Sequence, residues 1–470
     1  MRYVSTRGLA PELGFEDVLL AGLARDGGLY VPAEWPTLTP ARIAGFSGQP
    51  FYAVAAEVLA ALSGGAIPKT DLTAMCQAAY ATFDHAAVTP LVQIAPNRFV
   101  LELFHGPTLA FKDVAMQLLA RLMDYVLAKR DQRATIVGAT SGDTGGAAIE
   151  AFRTSSRADV FILFPDGRVS DVQRRMMTTP AAAHLHALSI AGTFDDCQAR
   201  VKDMFNHHAF RDRLQLSGVN SINWARIAAQ VTYYFVAAAA LGAPHRAVSF
   251  VVPTGNFGDI FAGYVARKMG LPIEKLTIAT NSNDILARTV ATGIYETRGV
   301  VATSSPSMDI QISSNFERYL FEASGRKAER IVSLMASLKQ AGRFELDASM
   351  TSKLRAEFAA FSASESTVAE TIRTAYTYSG YLLDPHTACA AATPGSQGAP
   401  EIILATAHPA KFPDALQRIA GIHPPLPARL EKLLTDQERM ADLPNDIAAI
   451  EKFVESACGS SRCGSPGVRA

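Results

Sequence analysis

The chain has 470 residues, 49% of them hydrophobic, with 44 basic and 44 acidic side chains. That length supports two or three packed units with large apolar cores, and the cancelled charge provides no global field for nucleic acid or a membrane surface, leaving only a local basic pocket open. Five scattered cysteines (Cys76, Cys197, Cys389, Cys458, Cys463) fit a reducing compartment better than a disulfide framework, the apolar run from Tyr233 to Ala243 is too short for a bilayer, and Met1-Arg2-Tyr3-Val4-Ser5 does not read as a signal peptide, so a cytoplasmic protein is expected.

No fixed-period repeat is present. The first ninety or so residues predict helices with short loops, over Phe15 to Leu23, Phe51 to Ala61 and Leu72 to Ala81. From Phe99 onward, short β-branched runs alternate with helical stretches: Ala134 to Val137, Val160 to Phe164, Ala187 to Ile190, Val248 to Val252, Leu276 to Ala279 and Ile402 to Leu404. Apolar strands separated by helices predict an α/β architecture with open, mostly parallel sheets covered by helices. Residues 326–379 interrupt this with helical periodicity at Ile331, Leu334, Met335 and Leu338, which predicts a helical insertion. The expected organisation is a mainly helical N-terminal module (1–95), a smaller α/β domain (96–230), a larger one (231–455) and a disordered Gly/Ser-rich tail (456–470). The two tail cysteines lack a second pair or an adjacent histidine, so no metal site is expected.

The segment Phe104-His105-Gly106-Pro107-Thr108-Leu109-Ala110-Phe111-Lys112-Asp113 sets one lysine between a Gly-Pro turn and an amphipathic helix. Such a lysine is either a solvated surface charge or an amine desolvated enough to form a Schiff base with an aldehyde cofactor. Three strand-to-helix junctions follow, the position where open α/β sheets bind ligands. Gly138-Ala139-Thr140-Ser141-Gly142-Asp143-Thr144-Gly145 offers hydroxyls and N–H groups for a carboxylate or phosphate, or simply a helix cap. Thr254-Gly255-Asn256-Phe257-Gly258-Asp259 lacks both the P-loop Lys-Ser/Thr and the G-x-G-x-x-G spacing, so a different small phosphate is implied if it is not a simple tight turn. Asp259, acidic beside an anion, is expected to face away and cap the helix. Thr406, at the end of the third strand, could meet a heterocycle nitrogen or merely cap that end. In Asn220-Ser221-Ile222-Asn223-Trp224-Ala225-Arg226, amides, a hydroxyl and a guanidinium can converge on a second anion, unless Arg226 is only an ion-pair partner.

Together these pieces resemble the threonine synthase family, pyridoxal-phosphate enzymes of the tryptophan-synthase-β fold type (fold type II), and the resemblance covers nearly the whole chain. It rests on Ser5-Thr6-Arg7-Gly8 with Gly22 to Pro32, on His105 to Asp113, on Ser141-Gly142-Asp143-Thr144-Gly145 with Gly255 to Asp259, and on Ser305 to Ile310 with Ser313-Ser314-Asn315, which resembles the longer, yeast-like branch. The resemblance implies that Lys112 holds pyridoxal 5′-phosphate covalently and moves protons, that Gly255, Asn256, Phe257, Gly258 and Asp259 bind its phosphate, and that Thr406 meets the ring nitrogen. It further implies that Thr140, Ser141 and Thr144 receive the substrate carboxylate, with Asp143 near the cofactor's 3′ oxygen, where many relatives carry asparagine. Asn220, Ser221 and Arg226 would grip the phosphate of O-phospho-L-homoserine, which water converts to threonine and phosphate; His105 and His386 are given no step. A monomer or homodimer acting on a small molecule, away from nucleic acid and membrane, is expected. A related phospholyase releasing a 2-keto acid, and a catalytically silent phosphate-binding module, are the alternatives.

Overall fold

The computed structural model describes residues 1–395 and 398–463. The chain forms two compact units, the first holding Met1–Leu19, Leu23–Ala115 and Ser221–Pro425, the second Leu20–Gly22, Met116–Asn220 and the residues from Leu426 on. The sequence reading divides the chain at 95/96 and 230/231, whereas the chain passes between these units after Ala115 and after Asn220.

The first unit is built on a six-stranded sheet in the order Phe358–Ser362, Ile273–Thr280, Val248–Pro253, Glu401–Ala405, Arg98–Glu102, Leu91–Ala95. All neighbours are parallel except the last pair. Val248–Pro253 and Glu401–Ala405 are buried at every position, which is why they read as continuous apolar runs: a parallel sheet is covered on both faces. Their register pairs Val251 with Ile403 and Ile403 with Val100. Three parallel strands therefore deliver their carboxyl ends to one edge, and the loops leaving that edge are those beginning at Leu103, Thr254 and Thr406. The helices Phe15–Ala21, Phe51–Ser63 and Lys69–Tyr80 form as expected. They accompany a three-stranded antiparallel sheet of Leu13–Gly14, Arg2–Ser5 and Tyr30–Pro32.

The stretch expected as a helical insertion needs correction. It holds the helices Ala328–Ala341, Ala348–Glu357 and Glu365–Ser379, but also two strands, Arg343–Glu345 and Phe358–Ser362. The second pairs in parallel with Ile273–Thr280 as an edge of the main sheet. Its sequence, Phe-Ala-Ala-Phe-Ser, mixes two strand-favouring phenylalanines with two alanines and lacks β-branched residues, so the open sheet edge decides the pairing.

The second unit is a five-stranded, wholly parallel sheet ordered Ala441–Leu443, Leu185–Ile190, Ala158–Pro165, Ala134–Ala139, Leu216–Ser217. Thr193 and Asp196 form a reciprocal capping box that starts the helix Phe194–Asn206. The expected tail also needs correction: the final helix runs Ile447–Cys463. Ile450, Val454 and Cys458 are buried in one cluster with Val137, Phe161 and Leu188, so an apolar face of this helix covers the sheet. Only 464–470 of the expected tail lies outside the described residues. Among the described residues no helix is long and apolar enough to cross a membrane.

Because Ile450 is fully buried against the second sheet, Ile450→Ala is expected to cost about 2–5 kcal/mol. Chemical denaturation should show a lowered midpoint; a midpoint equal to the parent's would mean the helix is not part of that core.

Candidate active site

Lys112 opens the helix Lys112–Lys129, and the loop before it is tightly specified. The buried Asp113 carboxylate accepts from Thr108 N at 2.7 Å and from Thr108 Oγ1 at 2.7 Å. Burial pushes this carboxyl up against the opposing pull of the Thr108 bonds and of Lys411, whose Nζ donates to Thr108 O at 3.0 Å. A Cβ on Gly106 would stand 2.4 Å from Asp113 Cβ, so the turn requires glycine. Lys112 itself is half-buried, its Nζ 4.8 Å from the centre of the Phe111 ring.

Thr406 is joined to this loop through the backbone. Its carbonyl accepts from Phe111 N at 2.9 Å, and Ala407 bridges Ala110. Its own N–H donates to Thr387 Oγ1 at 3.3 Å. The buried Thr406 side chain thus sits one strand from the lysine loop, with no hydrogen bond to its hydroxyl among the described residues.

The glycine loop lies at the start of the helix Gly258–Lys268. Phe257 occupies the left-handed region at φ 62°, a strained position for a bulky residue that only a surrounding structure can hold. Its buried ring supplies that hold, edge-on to Phe316 at 5.1 Å and to Phe358 at 5.4 Å. Gly255 O accepts from Ser313 Oγ at 2.5 Å and Asn256 O from Asn315 N at 3.1 Å. A trans peptide points its N–H opposite its carbonyl, so the N–H groups of Asn256 and Phe257 are turned away from Ser313 Oγ and from Asn315 N. No group among the described residues accepts from them or from Gly258 N. A Cβ on Gly255 would meet Ile310 Cδ1 at 2.7 Å and Ser307 O at 3.2 Å. Unpaired donors at a helix start, between two glycines whose Cβ atoms would be crowded, form a cup for a small anion.

Asp259 faces away from this cup, as its charge requires. It does not cap the helix, since the N-cap position carries no side-chain bond. Instead its Oδ1 accepts from Tyr233 Oη and from Tyr234 Oη, the latter at 3.1 Å, while Tyr234 Oη also donates to Asp259 O at 2.9 Å. Burial raises the carboxyl to about 6, opposed by the two tyrosine bonds and by the charge of Lys112. Arg226, in the first turn of Trp224–Ala240, is buried, and burial lowers its guanidinium to about 10 while Tyr233 opposes the shift. Lys112, Asp259, Tyr233 and Arg226 are therefore electrostatically linked. Ser221, half-buried, precedes the same helix, which is capped by Asn223 Oδ1 accepting from Ala225 N at 3.0 Å.

In the second unit, the loop after Ala134–Ala139 is organised by Thr140, whose Oγ1 accepts from Gly142 N and Gly145 N, both at 2.9 Å. A Cβ on Gly145 would lie 2.5 Å from both Met177 Sδ and Thr140 Cγ2. Asp143 Oδ1 accepts from Gln173 Nε2 at 2.8 Å, a neutral donor that fixes one oxygen of this carboxylate. Ser141 and Thr144 are half-buried, as is Asn220, which follows the adjacent strand Leu216–Ser217.

Both unassigned histidines are engaged in the first unit. His105 meets Glu102 at 2.7 Å and Asp84 at 3.3 Å. His386 Nδ1 lies 3.1 Å from Asp384 Oδ1, and its Nε2 accepts from Ser307 N at 3.3 Å, which fixes the proton on Nδ1. The sequence reading overlooked Tyr233, Tyr234, Gln173 and Arg318. Helical spacing offered one signal, because Tyr233 lies seven residues after Arg226 and so shares its face.

Family models match along the chain: threonine synthase N terminus over residues 2–80, pyridoxal-phosphate dependent enzyme over 82–401, and threonine synthase C-terminal over 386–454. A curated threonine synthase of Pseudomonas aeruginosa is 50% identical over 97% of this chain and 98% of its own length. The crystal structure of PLP-bound threonine synthase from Brucella melitensis superposes with a TM-score of 0.95 at 60% identity, covering 97% of this chain and 99% of that one. Yeast threonine synthase gives 0.91 at 39% identity, over 99% of each chain.

Asp259 ionises at a higher pH folded than unfolded, so folded stability is fullest below the ordinary carboxylate range and declines as pH rises toward about 6. Asp259→Asn retains an acceptor for the tyrosines and removes the charge. Without cofactor, this variant should gain on the parent between about pH 4 and 6, by no more than about 3 kcal/mol. Denaturant titrations across that range check it, and a difference independent of pH would reject the raised value.

Proposed function

We propose how its own residues carry out the reaction of this chain, which belongs to the threonine synthase family of pyridoxal-phosphate dependent enzymes and is a lyase converting O-phospho-L-homoserine and water to L-threonine and phosphate. The observation that carries the residue assignment is the shared sheet edge, from which the lysine loop, the glycine loop and Thr406 all leave. The residues present fit the cofactor: a loop bearing a half-buried lysine is bonded through its backbone to Thr406, whose side chain is buried, and the glycine loop leaving the same sheet edge offers unpaired N–H donors.

When bound, pyridoxal 5′-phosphate supplies an electron sink for negative charge developing on the substrate carbons. Lys112 Nζ would hold it covalently, and the same amine, when free, would take the proton from the substrate Cα. The Asn256, Phe257 and Gly258 N–H groups hold the cofactor phosphate, with Gly255 giving the backbone room and Asp259 locking the helix start to Tyr233 and Tyr234. The Thr406 hydroxyl would meet the ring nitrogen as a neutral partner, which does not enforce a charged ring as a carboxylate would.

Arg226 serves the substrate phosphate, assisted by Asn220 and Ser221. A buried guanidinium offers a fork of charge-assisted donors and orients the leaving group as well as binding it. In the second unit, Ser141 and Thr144 take the substrate carboxylate on the loop that Thr140 organises. Asp143, whose Oδ1 is held by Gln173, would stand toward the cofactor's 3′ oxygen.

Lys112→Ala should fold and hold cofactor loosely, but lose the visible absorbance of the bound cofactor and essentially all turnover, since anchoring and proton transfer use the same amine. Product chromatography on the parent should show threonine matched by phosphate. Dominant 2-oxobutyrate would instead indicate a phospholyase.

Arg226→Lys keeps the charge but not the fork, so KM for O-phospho-L-homoserine should rise about tenfold or more with the cofactor spectrum unchanged. Arg226→Ala should also lower kcat, because the leaving group is no longer positioned. If Arg226→Ala releases cofactor and spares substrate binding, the two phosphate assignments are reversed.

A further inference from the structure

Asn315 stands beside the glycine loop with a donor that nothing uses. It is fully buried, and its Nδ2 has no hydrogen-bond partner among the described residues. The amide cannot be flipped to relieve this. Its Oδ1 accepts from Arg318 Nη1, and a guanidinium is donor only, so the oxygen must face Arg318 and the NH2 must face the other way. Arg318 is itself fixed, with Nε donating to Tyr30 O at 3.0 Å and Nη2 to Ile222 O at 2.6 Å. Nδ2 is aimed at the start of the helix Gly258–Lys268: a Cβ on Gly258 would stand 3.3 Å from it and 3.8 Å from Asn315 Cγ. The backbone of Asn315 is locked to the same loop through its N–H on Asn256 O at 3.1 Å. A buried amide donor without an acceptor is rare because it is costly, and such a group marks a place where an acceptor arrives with a ligand.

We propose that Asn315 Nδ2 is a further donor to the phosphate group of the cofactor, completing from the side the cup formed by the N–H groups of Asn256, Phe257 and Gly258. This rests on the reading of that loop as the cofactor-phosphate site. The contribution is a neutral donor in a fixed position, so it adds affinity for a phosphate oxygen without adding charge.

The test compares pyridoxal 5′-phosphate with pyridoxal, which lacks the phosphate, binding to full-length protein freed of cofactor. Asn315→Asp keeps the size and the acceptor for Arg318, but replaces the donor by a carboxylate oxygen. Its affinity for pyridoxal 5′-phosphate should fall roughly ten- to hundredfold, with pyridoxal affinity unchanged, and inorganic phosphate should protect it less against thermal unfolding. Should this variant fail to fold, Asn315→Ser removes the amide without adding charge and should show a smaller loss in the same ratio. Equal losses for both ligands would make Asn315 a structural residue and overturn the proposal, as would an unchanged ratio in either folded variant. Selective amide labelling of Asn256, Phe257 and Gly258 in the parent separates a failure of Asn315 from a failure of the loop: their N–H resonances should shift further with pyridoxal 5′-phosphate than with pyridoxal. Such shifts beside an unchanged ratio in the Asn315 variants overturn the role of Asn315 alone, whereas equal shifts with the two ligands overturn the phosphate reading of the loop as well.

Discussion

The first unit depends on one buried cation. Arg318 is fully buried and, among the described residues, has no carboxylate hydrogen-bonded to it; its guanidinium donates to Tyr30 O, Ile222 O and Asn315 Oδ1, and it lies 5.8 Å from the centre of the Trp224 ring. Burial lowers it to about 9, with Glu317 opposing, so it stays charged at neutral pH. A buried charge held only by neutral acceptors is stable where each acceptor is fixed in place. Here they come from the N-terminal sheet, from the approach to the helix bearing Arg226, and from the segment that grips the glycine loop. One planar fork thereby sets the mutual position of three stretches far apart in sequence. Trp224 extends the tie, since its Nε1 donates to Tyr3 Oη at 3.1 Å.

The carboxylates follow the complementary rule. An enzyme handling two phosphates and a carboxylate must keep its own acidic groups from facing them, because like charges in a poorly solvated site repel strongly. Asp113 is turned to Thr108, Asp143 to Gln173, Asp259 to two tyrosines and Asp384 to Thr387 and the His386 N–H. Each accepts from at least one neutral donor, and each such bond stiffens the segment bearing a proposed ligand group. Acidity that would be harmful as exposed charge serves as a structural clamp.

These two devices differ in how far the sequence reveals them. The strand-to-helix junctions were legible because each is local: an apolar run, glycines, then a helix start. The orientation of Asp259 away from its loop was legible too, from charge alone. Its partners were not, because Tyr233 and Tyr234 belong to another helix, and only the packing of Trp224–Ala240 against Gly258–Lys268 brings them there. The strand Phe358–Ser362 was hidden for the same reason: an alanine-rich pentapeptide becomes a strand only when an open sheet edge accepts it. Ser313-Ser314-Asn315 stood out as a family mark, but its work in holding the Gly255 and Asn256 carbonyls is a property of folded geometry.

In the proposed division of labour, the two phosphates are treated differently, and physics favours that difference. The cofactor phosphate stays through every turnover. A cup of fixed, neutral N–H donors suits it, since such groups lose nothing in reorganisation and their strength comes from geometry. The substrate phosphate must be held while its bond breaks and then leave. A single guanidinium on a side chain serves that purpose better: it stabilises the charge as it develops, yet does not surround the product with enough donors to trap it. Placing Arg226 rather than more glycine N–H groups at the leaving group therefore favours turnover over retention. The tyrosine-bound Asp259 lies in electrostatic reach of Lys112, and Tyr233 of Arg226. The two proposed phosphate sites thus share one buried array rather than standing on two independent ones.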